Sequence, residues 1–380
     1  MRMKHIAIGV ACLLSMAACK SEAGYKITAR IAGVEDGVAV VLRNGMEKVD
    51  STVVKDGIFC FEGQTAEPFQ AEISIEKRDG QWGGKAFDLF VENSDIRVDG
   101  DWKDLSELQI AGSQSEDLYK TFEKQIDPLY EKRNELQAKM WGVYTGYLYE
   151  GGFSEKCIAP GIEVEKESEA LEERIVECRL DFIKVHPDSP VALKVFADVL
   201  SDKYSEEQIR EWMKLLSPAL KSLKGYQALE SRIAERYKLG KGKPYVDFKV
   251  VDMNGKEGMF SDYVKPGQYN MLEVWASWCG HCRVEIPHLK MVQEKYGDRF
   301  NIIAVSWDKE DAEWRKAMEE DQPGYLQLRA VKDGKGNDVG TAYGLHGIPF
   351  SLVIDGEGKI VQKEARAAAL DLLLETLCGE

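Results

Sequence analysis

The spacing of apolar and polar positions changes twice along the 380 residues of this chain. From Tyr25 the pattern has period two. Tyr25, Ile27, Ala29 and Ile31 are apolar, while Lys26, Thr28 and Arg30 between them are polar, as in a strand with one buried face. The run Val53-Val54-Lys55-Asp56-Gly57-Ile58-Phe59 sets Asp-Gly between two apolar stretches, a hairpin signal. Further strand-like runs at 69–75, 86–91 and 96–98 are separated by Gly, Asn and Asp. Together they predict a small antiparallel β-sandwich within residues 19–112, with Phe59, Phe61, Phe87 and Phe90 as core.

From residue 113 the period becomes helical. Leu118, Phe122, Ile126 and Leu129 form a stripe, and Pro128 within it predicts a kink. A second helix is expected at about 165–185, stopping before His186-Pro187. Ser189-Pro190 opens a third, Ser205-Glu206-Glu207-Gln208 is a capping box for a fourth, and Tyr226 to Tyr237 carry a last one. This helical segment spans 113–240, and Gly240-Lys241-Gly242-Lys243-Pro244 reads as a linker. Over 241–380 strand and helix patterns alternate: strands at 247–251, 270–275, 300–305, 350–354 and 359–361, helices to 296, from 311 and over 365–377. Alternation of this kind indicates an α/β domain with parallel strands and crossover helices. Gly334, Gly336, Gly340 and Gly344 lack dinucleotide-fingerprint spacing and read as loop.

The N-terminus changes the picture. Arg2 and Lys4 precede an apolar run from Ile6 to Met16 that ends in Ala17-Ala18-Cys19. That is a secretory signal of residues 1–18, too short to span a membrane. Leu14-Ser15-Met16-Ala17-Ala18-Cys19 resembles a bacterial lipobox, which implies that Cys19 is lipidated and begins the mature chain. The reading is an exported, membrane-tethered protein whose body lies in water on the periplasmic side. Losing Arg2 and Lys4 takes the net charge from −15 to −17, which speaks against nucleic acid as a partner.

The candidate chemistry sits at Trp275-Ala276-Ser277-Trp278-Cys279-Gly280-His281-Cys282-Arg283-Val284-Glu285-Ile286-Pro287. Two thiols two residues apart, between a strand and a helix, have the geometry of a reversible dithiol. Cys279 falls where unpaired N–H groups and the helix macrodipole favour a thiolate. That thiolate can attack a disulfide, and Cys282 can resolve the mixed disulfide. Cys60, Cys157, Cys178 and Cys378 supply no second C-x-x-C for zinc, and Arg283 stands where c-type haem attachment needs His. No metal or other cofactor is expected beyond the Cys279–Cys282 pair itself.

On the W-C-x-x-C-R-x-E-x-P run and on Gly347-Ile348-Pro349 ahead of an apolar strand, residues 241–380 resemble the exported TlpA/ResA-type thiol-disulfide oxidoreductases of the thioredoxin superfamily. The whole chain is similar to Bacteroidetes lipoproteins that place an uncharacterised β domain and a helical segment before such a domain. The expected fold is therefore multidomain: β-sandwich, helical middle, thioredoxin-like α/β domain. The resemblance implies that Cys279 is the exposed attacking thiol, Cys282 the buried resolving thiol, and Pro349 a cis-proline facing them beside Ile348. Glu273 matches a buried acid that accepts the resolving thiol's proton, Glu285 a tuning acid, and Trp278 a contact surface. Gly280-His281 is the dipeptide of disulfide isomerases rather than Gly-Pro. A donor imidazole stabilises the Cys279 thiolate and raises the reduction potential, between the roughly −270 mV of thioredoxin and roughly −180 mV of the isomerase.

Two classes of function follow. In the first, the protein is a cell-envelope reductase of exported protein disulfides, with apocytochrome c a candidate substrate and a membrane thiol as electron donor. In the second, a lipid-anchored protein binds a ligand or a metal and its dithiol is accessory. Peroxidase chemistry is disfavoured, because the Pro-x-x-x-Thr-x-x-Cys setting is absent before Cys279.

Overall fold

The computed structural model describes residues 24–76, 84–149, 155–331 and 338–379, with side chains omitted at 144–149, 155 and 156. Cys19 and the signal segment lie outside the described residues, as do Gly334 and Gly336. The chain divides into two compact units, at Asp117/Leu118.

The first unit holds β1 (Tyr25–Ala32), β2 (Ala39–Asn44), β3 (Glu47–Val53), β4 (Ile58–Gly63), β5 (Phe69–Ile75), β6 (Lys85–Val91), β7 (Asp95–Asp101) and β8 (Asp104–Ala111). They form two four-stranded sheets, ordered β4-β1-β7-β8 and β3-β2-β5-β6. Ile27, Ala29 and Ile31 of one sheet and Val40, Leu42 and Ile73 of the other are fully buried in a shared core. The alternation at Tyr25–Ile31 was thus a faithful signal. Two expectations need correction. The unit is not wholly antiparallel, since β1 and β7 pair in parallel from Lys26↔Asp95 to Ala32↔Asp101. And Asp56-Gly57 does not close a simple hairpin. Both residues have positive φ and Lys55 and Ile58 exchange backbone hydrogen bonds, yet β3 pairs with β2 while β4 pairs with β1. The turn passes the chain from one sheet to the other. Phe59, Phe61, Phe87 and Phe90 are all buried, but Phe90 lies outside the inter-sheet core because it follows Leu89 on the opposite face of β6.

Helix α1 (Gln114–Tyr149) runs through Pro128, and α2 (Glu155–Val185) through Pro160. The second helix thus starts ten residues before the expected 165. The remaining helices of this segment are α3 (Pro190–Ala197), α4 (Glu206–Met213) and α5 (Lys224–Arg236). Their caps are the residues the sequence marked: Ser189 Oγ accepts from Val191 N at 3.2 Å and Ser205 Oγ from Gln208 N at 3.2 Å.

A seven-stranded mixed sheet follows: β9 (Lys249–Val251), β10 (Glu257–Met259), β11 (Tyr269–Trp275), β12 (Phe300–Ser306), β13 (Leu326–Ala330), β14 (Phe350–Ile354) and β15 (Ile360–Lys363), in the order β10-β9-β13-β12-β11-β14-β15. With it come α6 (Gly280–Arg283), α7 (Ile286–Tyr296), α8 (Asp311–Asp321), α9 (Val339–Tyr343) and α10 (Ala367–Cys378). Only β11, β12 and β13 pair in parallel; the other strands are antiparallel additions, so the parallel expectation holds for the centre alone. One face of the sheet carries Leu272, Val274, Ile303, Val305 and Leu328, and the other carries Met271, Ile302 and Val353 under α7 and α10. The sequence missed β10, β13 and α9. The last of these is capped by Asp338, whose carboxylate accepts from Gly340 N at 2.9 Å, so Gly340 lies in a helix rather than in loop.

The segment read as a linker is not loose. Gly242 N donates to Ile360 O at 2.7 Å and Ile360 N to Lys243 O at 2.8 Å, so the segment is laid along the β15 edge. Further pairs join the helical segment to the sheet domain within this unit: Lys243 with Glu206 at 2.8 Å and Lys363 with Asp202 at 3.5 Å. Helix α10 packs along α2.

Candidate active site

Strand β11 is apolar except at Asn270 and Glu273, and every residue from Asn270 to Trp275 is buried. It delivers the chain to Ala276-Ser277-Trp278-Cys279 at the start of α6. Cys279 is the N-cap of that helix, and its Sγ accepts from Cys282 N at 3.2 Å. The two cysteines are joined in a disulfide, their Cα atoms 5.3 Å apart. An N–H aimed at the sulfur stabilises a thiolate there once the disulfide is reduced. The expected continuous helix from the dithiol to Tyr296 is instead broken at Val284-Glu285. Pro287, in the first turn of α7, lacks the N–H that would continue the ladder.

Cys279 is 7% exposed and Cys282 2%. The expected exposed attacking thiol is thus nearly covered in the disulfide state, because its sulfur is tied inward to Cys282. The order of exposure is as expected. Trp278 is 66% exposed beside Cys279, whereas Trp275 is buried with its Nε1 donating to Gln327 Oε1 at 3.2 Å. Gly280 and His281 lie on the exposed side of α6. The Ile348–Pro349 peptide bond is cis, and Ile348 packs against the cluster that holds both cysteines, Trp275 and Trp314.

Glu273 is 3% exposed. It shares a face of β11 with Trp275, whose ring lies among the cysteines. Arg366, one residue before α10, answers its charge. Arg366 Nη2 donates to Glu273 Oε1 at 2.6 Å and Nη1 to Oε2 at 3.2 Å. The same guanidinium meets Glu285, at 3.1 Å from Nε to Oε1 and 2.7 Å from Nη2 to Oε2. One cation is shared by the buried Glu273 carboxyl and the half-buried Glu285. Burial pushes Glu273 up to about 8; Arg366 opposes the rise, while Glu285 and then Glu364 reinforce it. Burial alone would lower Arg366, but Glu273 and Glu285 outweigh it and hold the guanidinium protonated.

Three residues of this site were invisible in the sequence. Arg366 stands 93 positions from Glu273, in a run of alanines that carries no motif. Asp308 is fully buried and braces the loop before the dithiol: it accepts from Ser277 N at 2.9 Å, Ser277 Oγ at 2.7 Å and Ser306 Oγ at 2.6 Å. Asp321 on α8 takes Arg283 in a bidentate grip at 2.8 and 2.7 Å, fixing the residue next to Cys282. Among the described residues, no group of three or more His, Cys, Asp and Glu is arranged to hold a metal ion.

A mixed sheet with a cis-proline loop and a C-x-x-C at the N-terminus of a helix defines a thioredoxin-like protein. The AhpC/TSA family matches residues 241–363, and a domain of unknown function, DUF4369, matches residues 25–119. The thiol:disulfide interchange protein HelX of Rhodobacter capsulatus is 30% identical over 139 residues, covering 36% of this chain and 74% of that one. The thiol-disulfide oxidoreductase ResA of Bacillus cereus is 27% identical over 140 residues, covering 37% and 78%. Among solved structures, the thioredoxin domain of a Bacteroides vulgatus thiol-disulfide oxidoreductase is 31% identical, with TM-score 0.34, over 37% of this chain and 98% of that one. The chain belongs to the thioredoxin-like thiol-disulfide oxidoreductases, with a β domain and a helical segment ahead of the redox domain.

The raised Glu273 has a thermodynamic consequence. Its carboxyl holds a proton in the folded state that the unfolded chain has released above about 4.5. The stability it contributes is therefore complete below about 4.5 and lost as the pH climbs through about 8. Relative to wild type, Glu273→Gln should gain stability between pH 5 and 8, by up to ~1.4 kcal/mol per pH unit. Urea unfolding of both proteins across this range measures it. Curves that run parallel would contradict a protonated Glu273.

Proposed function

We propose that the protein is a cell-envelope thiol-disulfide reductase acting on exported proteins. In this reading it is held at the membrane through lipidated Cys19 on the periplasmic side, and a membrane thiol supplies its electrons. The haem-binding cysteines of an apocytochrome c are a candidate substrate. The observation that carries the reading is the Cys279–Cys282 pair at the start of α6, with Cys282 N–H on the Cys279 sulfur and a buried acid, Glu273, on the strand behind. No helix among the described residues is long and apolar enough to cross a membrane, so a tether would rest on Cys19.

The reduced protein begins with Cys279 as thiolate and Cys282 as thiol. Cys279 Sγ attacks one sulfur of the partner's disulfide, forming a mixed disulfide and expelling the partner's other sulfur as a thiolate. Glu273 first releases its own proton to water, readily near its midpoint of about 8; the carboxylate then takes the proton of Cys282, which attacks Cys279 Sγ. The Cys279–Cys282 bond closes, and the partner's second sulfur leaves as a thiolate. Two electrons pass from the protein to the partner, whose thiolates take protons from water. An acid near 8 suits this step, because it lies close to the roughly 8.5 of an ordinary thiol. Exposed Trp278 and the cis Ile348–Pro349 segment offer the surface against which the partner chain would lie.

Dithiothreitol-dependent reduction of insulin by the mature protein tests the reading. Wild type should accelerate precipitation of the insulin B chain and Cys279→Ser should not. Equal activity in the two would refute it. Direction is tested separately at His281. Replacing the imidazole by proline, His281→Pro, should make the potential more negative by about 30 mV for each unit that the Cys279 thiol rises. Equilibration with glutathione reads the potential and iodoacetamide alkylation against pH reads the thiol. An unchanged potential would remove His281 from the control of electron flow.

A further inference from the structure

The guanidinium of Arg366 is held in place by a bracket built on the central sheet. Glu273 of β11 and Ser351 of β14 are register partners. Ser351 Oγ donates to Ala365 O at 3.1 Å, and Glu364 N donates to Ser351 O at 2.9 Å. The backbone beside Arg366 is thereby pinned over the residue next to Glu273. Glu364 and Ala367, on either side of this short run, both have positive φ (55° and 47°), a costly conformation for residues with a Cβ. From the pinned turn Arg366 spans two elements, Glu273 on β11 and Glu285 at the break between α6 and α7. The side chains of Glu273, Glu285 and Arg366 are 3%, 15% and 14% exposed.

We propose that Arg366 is a positioning residue for thiol-disulfide exchange: its fork fixes the Glu273 carboxyl as proton acceptor for Cys282 and divides one positive charge between Glu273 and Glu285, so that neither carboxyl holds the whole of it. The proposal rests on the functional reading above. Two carboxylates and one guanidinium leave one negative charge uncompensated, so the buried Glu273 carboxylate readily takes up a proton. The other titratable groups facing Glu273 are Glu364 on the pinned turn and Tyr325 ahead of β13; burial, then Glu273 and Glu285, keep the Tyr325 hydroxyl protonated well beyond its ordinary range. Lysine cannot replace the arginine, since one ammonium cannot donate in two parallel forks.

The test isolates the resolving step. The reduced mature chain is mixed with oxidised glutathione, quenched in acid, and its glutathione mixed disulfide followed by mass spectrometry from pH 5 to 9. Alkylation of Cys279 by iodoacetamide is measured in parallel. Arg366→Gln should slow resolution about 10-fold or more, part of the ~10²–10⁴ that a positioned base supplies. It should also shift the midpoint of the pH profile upward and leave alkylation of Cys279 within twofold of wild type. Arg366→Lys should fall between the two. Glu285→Gln, which gives the whole guanidinium to Glu273, should move the midpoint downward; this variant decides the matter if the Arg366 variants do not fold. Resolution with wild-type rate and midpoint in folded Arg366→Gln, or an unmoved midpoint in Glu285→Gln, would overturn the proposal alone. A wild-type chain that forms no mixed disulfide would overturn the functional reading and the proposal with it.

Discussion

The ion pair between Glu273 and Arg366 is the constraint on which the redox domain depends. A carboxyl on the central strand of a buried sheet is costly unless its charge is met, and breaking a buried pair from one side costs about 3–5 kcal/mol. That requirement explains features that look unrelated in the chain. Glu364 ahead of α10 and Ala367 at its start adopt positive φ, Ser351 spends its hydroxyl on the Ala365 carbonyl, and Glu285 sits at a helix break instead of on an open helix face. All three bring the guanidinium to the strand that leads into the dithiol. The pair also sets the chemistry, because Glu285, drawn to the same cation, adds to the rise that burial imposes on the Glu273 carboxyl.

The dithiol is fixed from the other side by separate contacts. Asp308 gathers the N–H and hydroxyl of Ser277 and the hydroxyl of Ser306, so the turn between β11 and Cys279 is tied to the end of β12. Arg283, directly after Cys282, is gripped by Asp321 and Glu320 at the end of α8. Cys279 and Cys282 are thereby held at a helix start where the Cys282 amide points at the Cys279 sulfur. The freedom left at the surface belongs to Trp278, Gly280 and His281, the positions a partner would meet first.

What the sequence reveals follows the range of the interaction. Period-two alternation at Tyr25–Ile31, the caps at Ser189 and Ser205, and the strand–dithiol–helix run are set by near neighbours, and they were legible. So was the exposed Trp278 beside the dithiol. Arg366, Asp308 and Asp321 were not, because each acts across 31 to 93 residues and nothing local distinguishes it from a surface charge. The parallel pairing of β1 with β7 escaped for the same reason. Short elements failed differently: β10 has three residues, β13 and α9 five each, too few for a period to show.

The central claim is that Glu273 carries a proton near neutrality because burial, with Glu285 and Glu364 beside it, opposes its ionisation more than Arg366 favours it. Carbon-13 NMR of the oxidised mature chain, labelled at the glutamate side-chain carboxyl and assigned by difference with Glu273→Gln, observes that proton directly. The account predicts a Glu273 carboxyl resonance that titrates with a midpoint near 8. A midpoint near the ordinary carboxyl value of about 4.5 would show that Arg366 fully compensates the burial, and would contradict it.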